Sequence, residues 1–425
     1  MIEGMKIPKS KSKIWLAIFV LALAVGAGVT LAFGIQDYGK KTPSGRPIDS
    51  QAVKIGRQLA GGKCQGAGPV QLSVSPMRIE DTAMLIPHGL MVGGHVTPID
   101  HGYFEPKDRQ AGRDAYEVRS WADGEVVQIQ HRTQGPEDNP QAGGKKSEYR
   151  LVITHSCTFL TYFDLITSLA PELQSAFDRA GAEKSGGQSA KVRIPVKAGQ
   201  LLGRIGGQTL DYAVWDTEKP LKGFLVPEHY KAEEWKVYTG DPFEYMTEEV
   251  RNQLLAINLR TAPPVNGKID YDQDGRLVGN WFQQGTNYYE GDRQTTQGGG
   301  QFWGGHLAVA PHHIDPDVFV VSFGNFGGKA EQFVVVGNAP RPEEVTVESG
   351  LIKYELTQFS MSDPNGEPWN GMTYIRGAKV MPNQQVAGCA LFQLTADRTL
   401  RMEPFPEQPC ARVPGFTGQA RTYER

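Results

Sequence analysis

The chain has 425 residues, with 44 basic and 47 acidic side chains and a formal net charge of −3. The two signs are interspersed rather than gathered into a basic stripe, which argues against a nucleic-acid binder. The length allows two globular cores and an anchor, because single cores stop growing near about 250 residues. Fifty glycines and 28 prolines suit short strands joined by turns and disfavour long helices, so the expected fold class is mainly β.

In chain order, Ile14 to Ile35 is an apolar run without a charge, preceded by Lys6, Lys9, Lys11 and Lys13. A run of roughly 20 apolar residues matches the hydrocarbon core of a bilayer, and residues 1–35 are therefore expected to be an N-terminal tail and transmembrane anchor. Ala22, Ala24 and Ala27 supply the small residues of a signal-peptide cleavage site, the competing reading. Lys40, Lys41 and Arg46 follow the run, so the charge bias favours a cytoplasmic N-terminus only slightly. The bulk of the chain is then expected to be extracytoplasmic, and Cys64, Cys157, Cys389 and Cys410 fit that compartment: they are even in number and form no C-x-x-C pair. The expected pairs are Cys64 with Cys157 and Cys389 with Cys410, against four unrelated thiols.

Residues 36–75, rich in Gly, Lys, Ser and Pro, read as a linker. Strand-like alternation marks Tyr116 to Gln130 and Tyr149 to Thr154, separated by a polar loop from Gln134 to Ser147. Leu169, Leu173 and Phe177 predict a helix within Thr167 to Lys184, and Phe243, Met246, Val250 and Leu254 predict another within Asp241 to Arg260, ended by Ala262-Pro263-Pro264. That break divides a first β domain, 76–240, and a helical connector, 241–262, from a β-rich C-terminal domain, 263–425, expected to be a sandwich or barrel. Its predicted strands are Phe302 to Val309, Val318 to Phe323, Gln332 to Val336, Val345 to Tyr354 and Ala387 to Leu394.

Four segments of the first domain stand out together. They are Gly93-Gly94-His95-Val96-Thr97-Pro98-Ile99-Asp100-His101, Ala122-Asp123-Gly124-Glu125-Val126, the stretch from Tyr149 to Leu165 containing Leu151-Val152-Ile153-Thr154-His155, and Val196-Lys197-Ala198-Gly199-Gln200-Leu201-Leu202-Gly203 running into Thr209-Leu210-Asp211-Tyr212. Over about 130 residues this order resembles the duplicated hybrid motif of the lysostaphin/LytM-type zinc endopeptidases that cut peptidoglycan cross-links. The resemblance implies an antiparallel β domain, with the Val196 to Gly203 segment as a hairpin. It also implies a zinc site drawn from His95, Asp100, His101 and Asp211, open to water as a catalytic zinc requires.

The chemistry-bearing positions depart from the family. Four residues intervene between His95 and Asp100, where the family has its first two ligands closer together. Asp164, in Tyr162-Phe163-Asp164-Leu165, stands where the family has one catalytic histidine, and Thr209 stands where it has the other. Trading two imidazoles for Asp and Thr removes the groups best suited to proton transfer near neutral pH. The resemblance therefore implies a non-catalytic member that binds an envelope polymer or a partner protein. The alternative is an active zinc endopeptidase or amidase in which Asp164 serves as general base; a purely structural surface protein is a third class, in which the four segments would not converge.

Other patterns are weaker. Asp270, Asp272 and Asp274, with Gly275, copy the first half of a calcium loop, but Trp281 occupies its twelfth position and excludes an EF-hand. Calcium completed from elsewhere and a plain acidic turn are the two readings. His306, His312, His313, Asp315 and Asp317 suggest a metal by composition and a solvent-facing loop by their prolines. Trp281-Phe282, Tyr288-Tyr289 and Phe302-Trp303 suit either a glycan groove or a sheet core. No Gly-x-Ser-x-Gly elbow and no phosphate loop is present, which argues against a serine hydrolase and a nucleotide enzyme.

Overall fold

The computed structural model describes residues 49–132, 147–181, 188–291, 301–337 and 339–425. The expected membrane-spanning run lies outside them, as does the Gln134 to Ser147 loop apart from Ser147. Among the described residues no helix is long and apolar enough to cross a membrane.

The chain is mainly β. One antiparallel sheet takes β1 (Thr82–Ile86), β2 (Gly102–Pro106), β4 (Gly124–Arg132), β5 (Glu148–Thr154), β6 (Phe159–Ile166), β8 (Gln188–Val196) and β10 (Leu210–Asp216), in the order β1-β2-β10-β6-β5-β4-β8, with the two-residue strand β11 (Thr239–Gly240) paired to β10. A small sheet of β3 (Tyr116–Arg119), β9 (Leu201–Ile205) and β7 (Ser168–Leu169) runs in the order β3-β9-β7. The Tyr116 to Gln130 stretch is thus two strands in different sheets, broken at Ser120–Asp123.

The Val196 to Gly203 segment is not a hairpin of mutually paired strands. β8 pairs with β4 and β9 with β3, so the turn carries the chain from one sheet to the other, with Gly199 in the left-handed region at φ 76°. Between the two sheets lies the main core, where Phe104, Trp121, Phe163, Leu202 and Tyr212 are essentially inaccessible. The other face of the large sheet buries Val127, Val152, Leu160, Tyr162 and Trp215 under Leu59, Ala60 and Trp235.

Two helices differ from expectation for identifiable reasons. Within the expected linker, Ser50–Leu59 is helical because Ala52, Ile55 and Gly56 make a face that the sheet buries. The expected 241–260 helix is split into a 3₁₀ turn, Pro242–Glu244, capped by Asp241, and an α-helix, Glu248–Leu255, capped by Thr247. The break occurs where Leu72 takes the backbone: its N–H donates to Tyr245 O at 2.8 Å and its carbonyl accepts from Thr247 N at 2.9 Å.

The C-terminal half is a closed eight-stranded barrel: β12 (Gly279–Gln283), β13 (His306–Pro311), β14 (Phe319–Phe326), β15 (Lys329–Val336), β16 (Ile352–Ser362), β17 (Lys379–Ala396), β18 (Thr399–Pro406) and β19 (Arg421–Glu424). Trp281, Leu307, Phe323, Tyr354 and Phe392 fill it. The disulfides are Cys64–Cys157 and Cys389–Cys410.

The barrel also holds the histidine-bearing loop. Gly93 N donates to Gln332 Oε1 at 2.8 Å, Gln332 Nε2 donates back to Gly93 O at 3.0 Å, and a Cβ on Gly94 would lie 2.7 Å from the Trp303 ring. Gly56 is equally confined, since a Cβ there would lie 1.9 Å from the Cys157 carbonyl oxygen. Gly56→Ala is therefore expected to cost about 2–3 kcal/mol, measured as a lower unfolding midpoint; undiminished stability would mean that the helix is not seated on that strand turn.

Candidate functional site

Register places the polar residues. Tyr103 on β2, Asp211 on β10 and Asp164 on β6 are cross-strand partners, so all three project from one face of the large sheet. Arg150 joins them from β5, at the irregularity between the Tyr149–Ile166 and Leu151–Phe163 pairs. Asp100 and His101 come from the loop that leads into β2, and Trp235 and Lys236 from the broken 3₁₀ segment Pro227–Tyr238.

Asp164 is held as a carboxylate. Arg150 Nε donates to it at 2.7 Å, Arg132 grips it with Nη1 at 2.9 Å and with Nη2, and Leu165 N adds a bond at 2.7 Å. Burial alone would raise its pKa, but the guanidinium of Arg150, then Arg132, keeps it below the usual carboxylate range. Those contacts leave Asp164 a poor proton acceptor. Thr209, the other expected catalytic position, lies just before β10, and its hydroxyl donates to Asp211 at 3.4 Å.

Asp100 is engaged on both oxygens. Lys236 Nζ lies 2.8 Å from Oδ1 and Trp235 Nε1 donates to Oδ2 at 2.9 Å. Against the cost of burial, Lys236 and His101 hold Asp100 well below the ordinary carboxylate range. Lys236 is itself buried, 4% exposed, with Glu233 at 3.3 Å and its ammonium 5.0 Å from the Tyr289 ring centroid; burial favours its neutral form, but Asp100 more than offsets this.

His101 sits between two carboxylates, Nδ1 at 3.3 Å from Asp100 and Nε2 at 3.4 Å from Asp211. His95 is exposed, and its ring stands edge-on to His101 with centroids 6.3 Å apart. His95, His101, Arg150, Glu233, Lys236 and Tyr289 are among the walls of a cavity of about 100 Å³.

The four expected zinc ligands thus share one region, but as placed they do not fit a zinc ion: a buried ammonium lies against Asp100, and His101 turns its two ring nitrogens to different carboxylates. Among the described residues no three His, Cys, Asp or Glu side chains are grouped to hold a metal. The Asp270–Asp274 carboxylates also diverge rather than converge. Asp270 accepts from Gly223 N and pairs with Lys268, Asp272 accepts from Asn280 N, and Asp274 pairs with Arg398.

Of the His306 to Asp317 cluster only Asp317 faces solvent. His306, His312, His313 and Asp315 are buried; His312 Nδ1 faces the N–H groups of Ile314 and Asp315, and Asp315 accepts from Lys379. Trp281, Phe282 and Tyr289 are likewise buried in packed clusters. His155, at the β5–β6 turn, bonds Asp123 O at 2.7 Å and Thr161 Oγ1 at 2.9 Å, and burial lowers its pKa to about 4.

Sequence reasoning missed Arg132, Arg150, Trp235 and Lys236. Arg150 carried a signal, a charged residue inside the apolar strand Tyr149 to Thr154; Lys236 carried none.

Compared with known proteins, the chain matches no family model and no curated sequence. The solved structure of Csd3 from Helicobacter pylori is similar at 19% identity over 37% of this chain, with a TM-score of 0.21. The match spans 33% of the length of the Csd3 chain, a weak likeness.

Two outcomes follow from the electrostatics. Burial pushes the Asp211 carboxyl up to about 7; His101 opposes the rise and Asp164 adds to it. An unfolded Asp ionises near about 4, so between about pH 4 and 7 the folded chain keeps a proton that the unfolded chain has released. Asp211 therefore contributes stability below that window which is lost as pH rises through it, by at most about 1.4 kcal/mol per pH unit. Chemical unfolding across this range should show Asp211→Asn losing less stability than the native chain. Arg150→Met should cost about 1–3 kcal/mol by taking one of two guanidiniums from a buried carboxylate, and distinctly less in an Asp164→Asn background; equal costs in both backgrounds would show that the clamp is not coupled.

Proposed function

We propose that this chain is a membrane-anchored, extracytoplasmic binding protein on a LytM-like scaffold, whose centre engages an envelope polymer without cutting it. The observation that carries this reading is the double-arginine clamp on Asp164. A general base must be free to accept a proton near the working pH, and Asp164 stands at the position where the resemblance calls for one. The two disulfides support an oxidising compartment. Of the four motif segments, His95 to His101, Asp164 and Asp211 meet at one end of the large sheet, beside a cavity, and support a site rather than a purely structural surface, while Ala122 to Val126 and Val196 lie at its other end.

One observation favours the alternative, an active zinc-dependent endopeptidase or amidase. His95 and His101, two of its expected ligands, stand edge-on with ring centroids 6.3 Å apart.

The two readings separate in one assay with the full chain and insoluble peptidoglycan. The binding reading expects retention on the polymer, no release of soluble fragments with or without added zinc, and about five-fold weaker retention of His95→Ala, equivalent to about 1 kcal/mol. Zinc-dependent release of fragments would establish the alternative; neither retention nor release would sink both.

A further inference from the structure

The cations of the first β domain are unevenly engaged. At the centre, Arg132, Arg150 and Lys236 are each matched to a carboxylate. Lys54, Arg57, Lys63 and Lys191 are exposed and make no ion pair among the described residues.

These four lie together. Lys54 and Arg57, three positions apart, share the outward side of the helix Ser50–Leu59, whose inward side is Ala52, Ile55 and Gly56. Gly62 N donates back to Arg57 O at 2.8 Å, and a Cβ on the adjacent Gly61 would lie 3.9 Å from Lys191 Cδ on β8. Arg193 Nη2 donates to Ala60 O at 3.1 Å, fixing β8 beside the helix end, and Lys63 lines with Arg193 an open hollow of about 430 Å³. The carboxylates nearby are largely taken: Glu125 by Arg193 at 2.8 Å and Asp123 by Lys197 at 2.8 Å. Glu234, which accepts from Gln58, offsets one charge.

The place of this face in the fold is distinctive. Along β6 and β10 the centre lies at the Asp164–Asp211 pair, whereas the helix sits at the other end, with Gly56 against the Cys157 carbonyl and Ala52 O accepting from Thr217 Oγ1 at 2.9 Å. From Asp211 to Thr217 is about 20 Å along the strand direction. The apolar run ends at Ile35, so residues 36–49, with Lys40, Lys41 and Arg46 among them, are all that join it to the helix. Such a segment reaches at most about 50 Å, and about 20 Å on average as a flexible coil.

We propose that the face of Lys54, Arg57, Lys63 and Lys191 docks on the anionic phosphodiester headgroups of the membrane that holds the anchor, which turns the centre at the other end of the sheet away from the bilayer and toward the polymer. Clustered Lys and Arg are drawn to an anionic bilayer over about a Debye length, and a short tether makes contacts that are weak singly effective together. An anionic envelope polymer offers similar chemistry; the tether is what favours the bilayer.

This inference rests on the anchored reading, and its test separates the two. The native cysteines are all paired, so full-length Gln58→Cys takes a donor dye at one position. It is reconstituted in vesicles of phosphatidylcholine, alone or with phosphatidylglycerol, that carry an acceptor dye on the headgroup. Energy transfer is expected to be several-fold higher on the anionic vesicles. It should fall to the phosphatidylcholine level in about 1 M salt, where the Debye length is about 3 Å, and likewise in Lys54→Gln/Arg57→Gln/Lys191→Gln, with folding checked by circular dichroism. Lys329→Gln/Arg376→Gln/Arg412→Gln, which removes equal charge from the barrel, is expected to keep the difference. Flotation in high salt reads the anchor separately: a chain that leaves both kinds of vesicle fails the anchored reading, and docking is then read as salt-sensitive flotation with anionic vesicles. Transfer, or in that case flotation, that is equal on both lipids or survives the first triple substitution overturns the proposal. Loss of retention on insoluble peptidoglycan by that variant, with no effect of lipid charge, would assign the cations to the polymer instead.

Discussion

The buried pair of Asp100 and Lys236 is the interaction on which the arrangement of this molecule turns. Taking both charges out of water costs several kcal/mol for each ion, and the attraction between them repays this only when every remaining donor and acceptor is satisfied. Here the indole N–H of Trp235, the ring of Tyr289 and the carboxylate of Glu233 complete the shell. Those groups come from three places. Asp100 rides on a loop pinned by Gln332 of the barrel, Lys236 on the 3₁₀ segment, and Tyr289 on the connection between β12 and β13. Loss of Asp100 or Lys236 would leave the other charge buried without compensation, so the pair couples the loop before β2 to the 3₁₀ segment.

The same logic separates two carboxylates that strand pairing forces together. Asp164 and Asp211 face each other across β6 and β10, and two like charges directly opposite on a sheet repel. The repulsion is relieved asymmetrically. Asp164 receives two guanidiniums and is fixed as an anion, while Asp211 receives one imidazole and retains its proton to about pH 7. A row of polar residues inherited from the register thus acquires two electrostatic characters from its second neighbours.

What the sequence revealed follows from where the signal was local. The alternation of Tyr149 to Thr154 matches β5, the apolar stripe Leu173 and Phe177 lies on the helix Pro171–Arg179, and the cysteine pairs formed as expected. The missed features depend on distant partners. Nothing in Trp235-Lys236-Val237-Tyr238 announces that its lysine meets an aspartate 136 residues earlier. The helix over 241–260 breaks because Leu72 claims backbone groups on either side of Met246, which periodicity cannot report. Barrel closure was equally hidden: β19 is only four residues long, and β17 extends through an exposed polar stretch at Met381–Gln385 that reads as loop.

The two β-structures of this chain differ in how they end. A closed barrel has no unpaired strand, whereas the large sheet stops at β8, which among the described residues is paired on one side only, to β4. Such a border is a template on which another extended chain can grow. Along β8, Lys191, Arg193 and Pro195 alternate toward solvent while Val192, Ile194 and Val196 turn inward. Two positive charges and a residue with no N–H make that border a poor template, so the strand that seals one side of the domain also discourages uncontrolled polymerisation with other copies of itself.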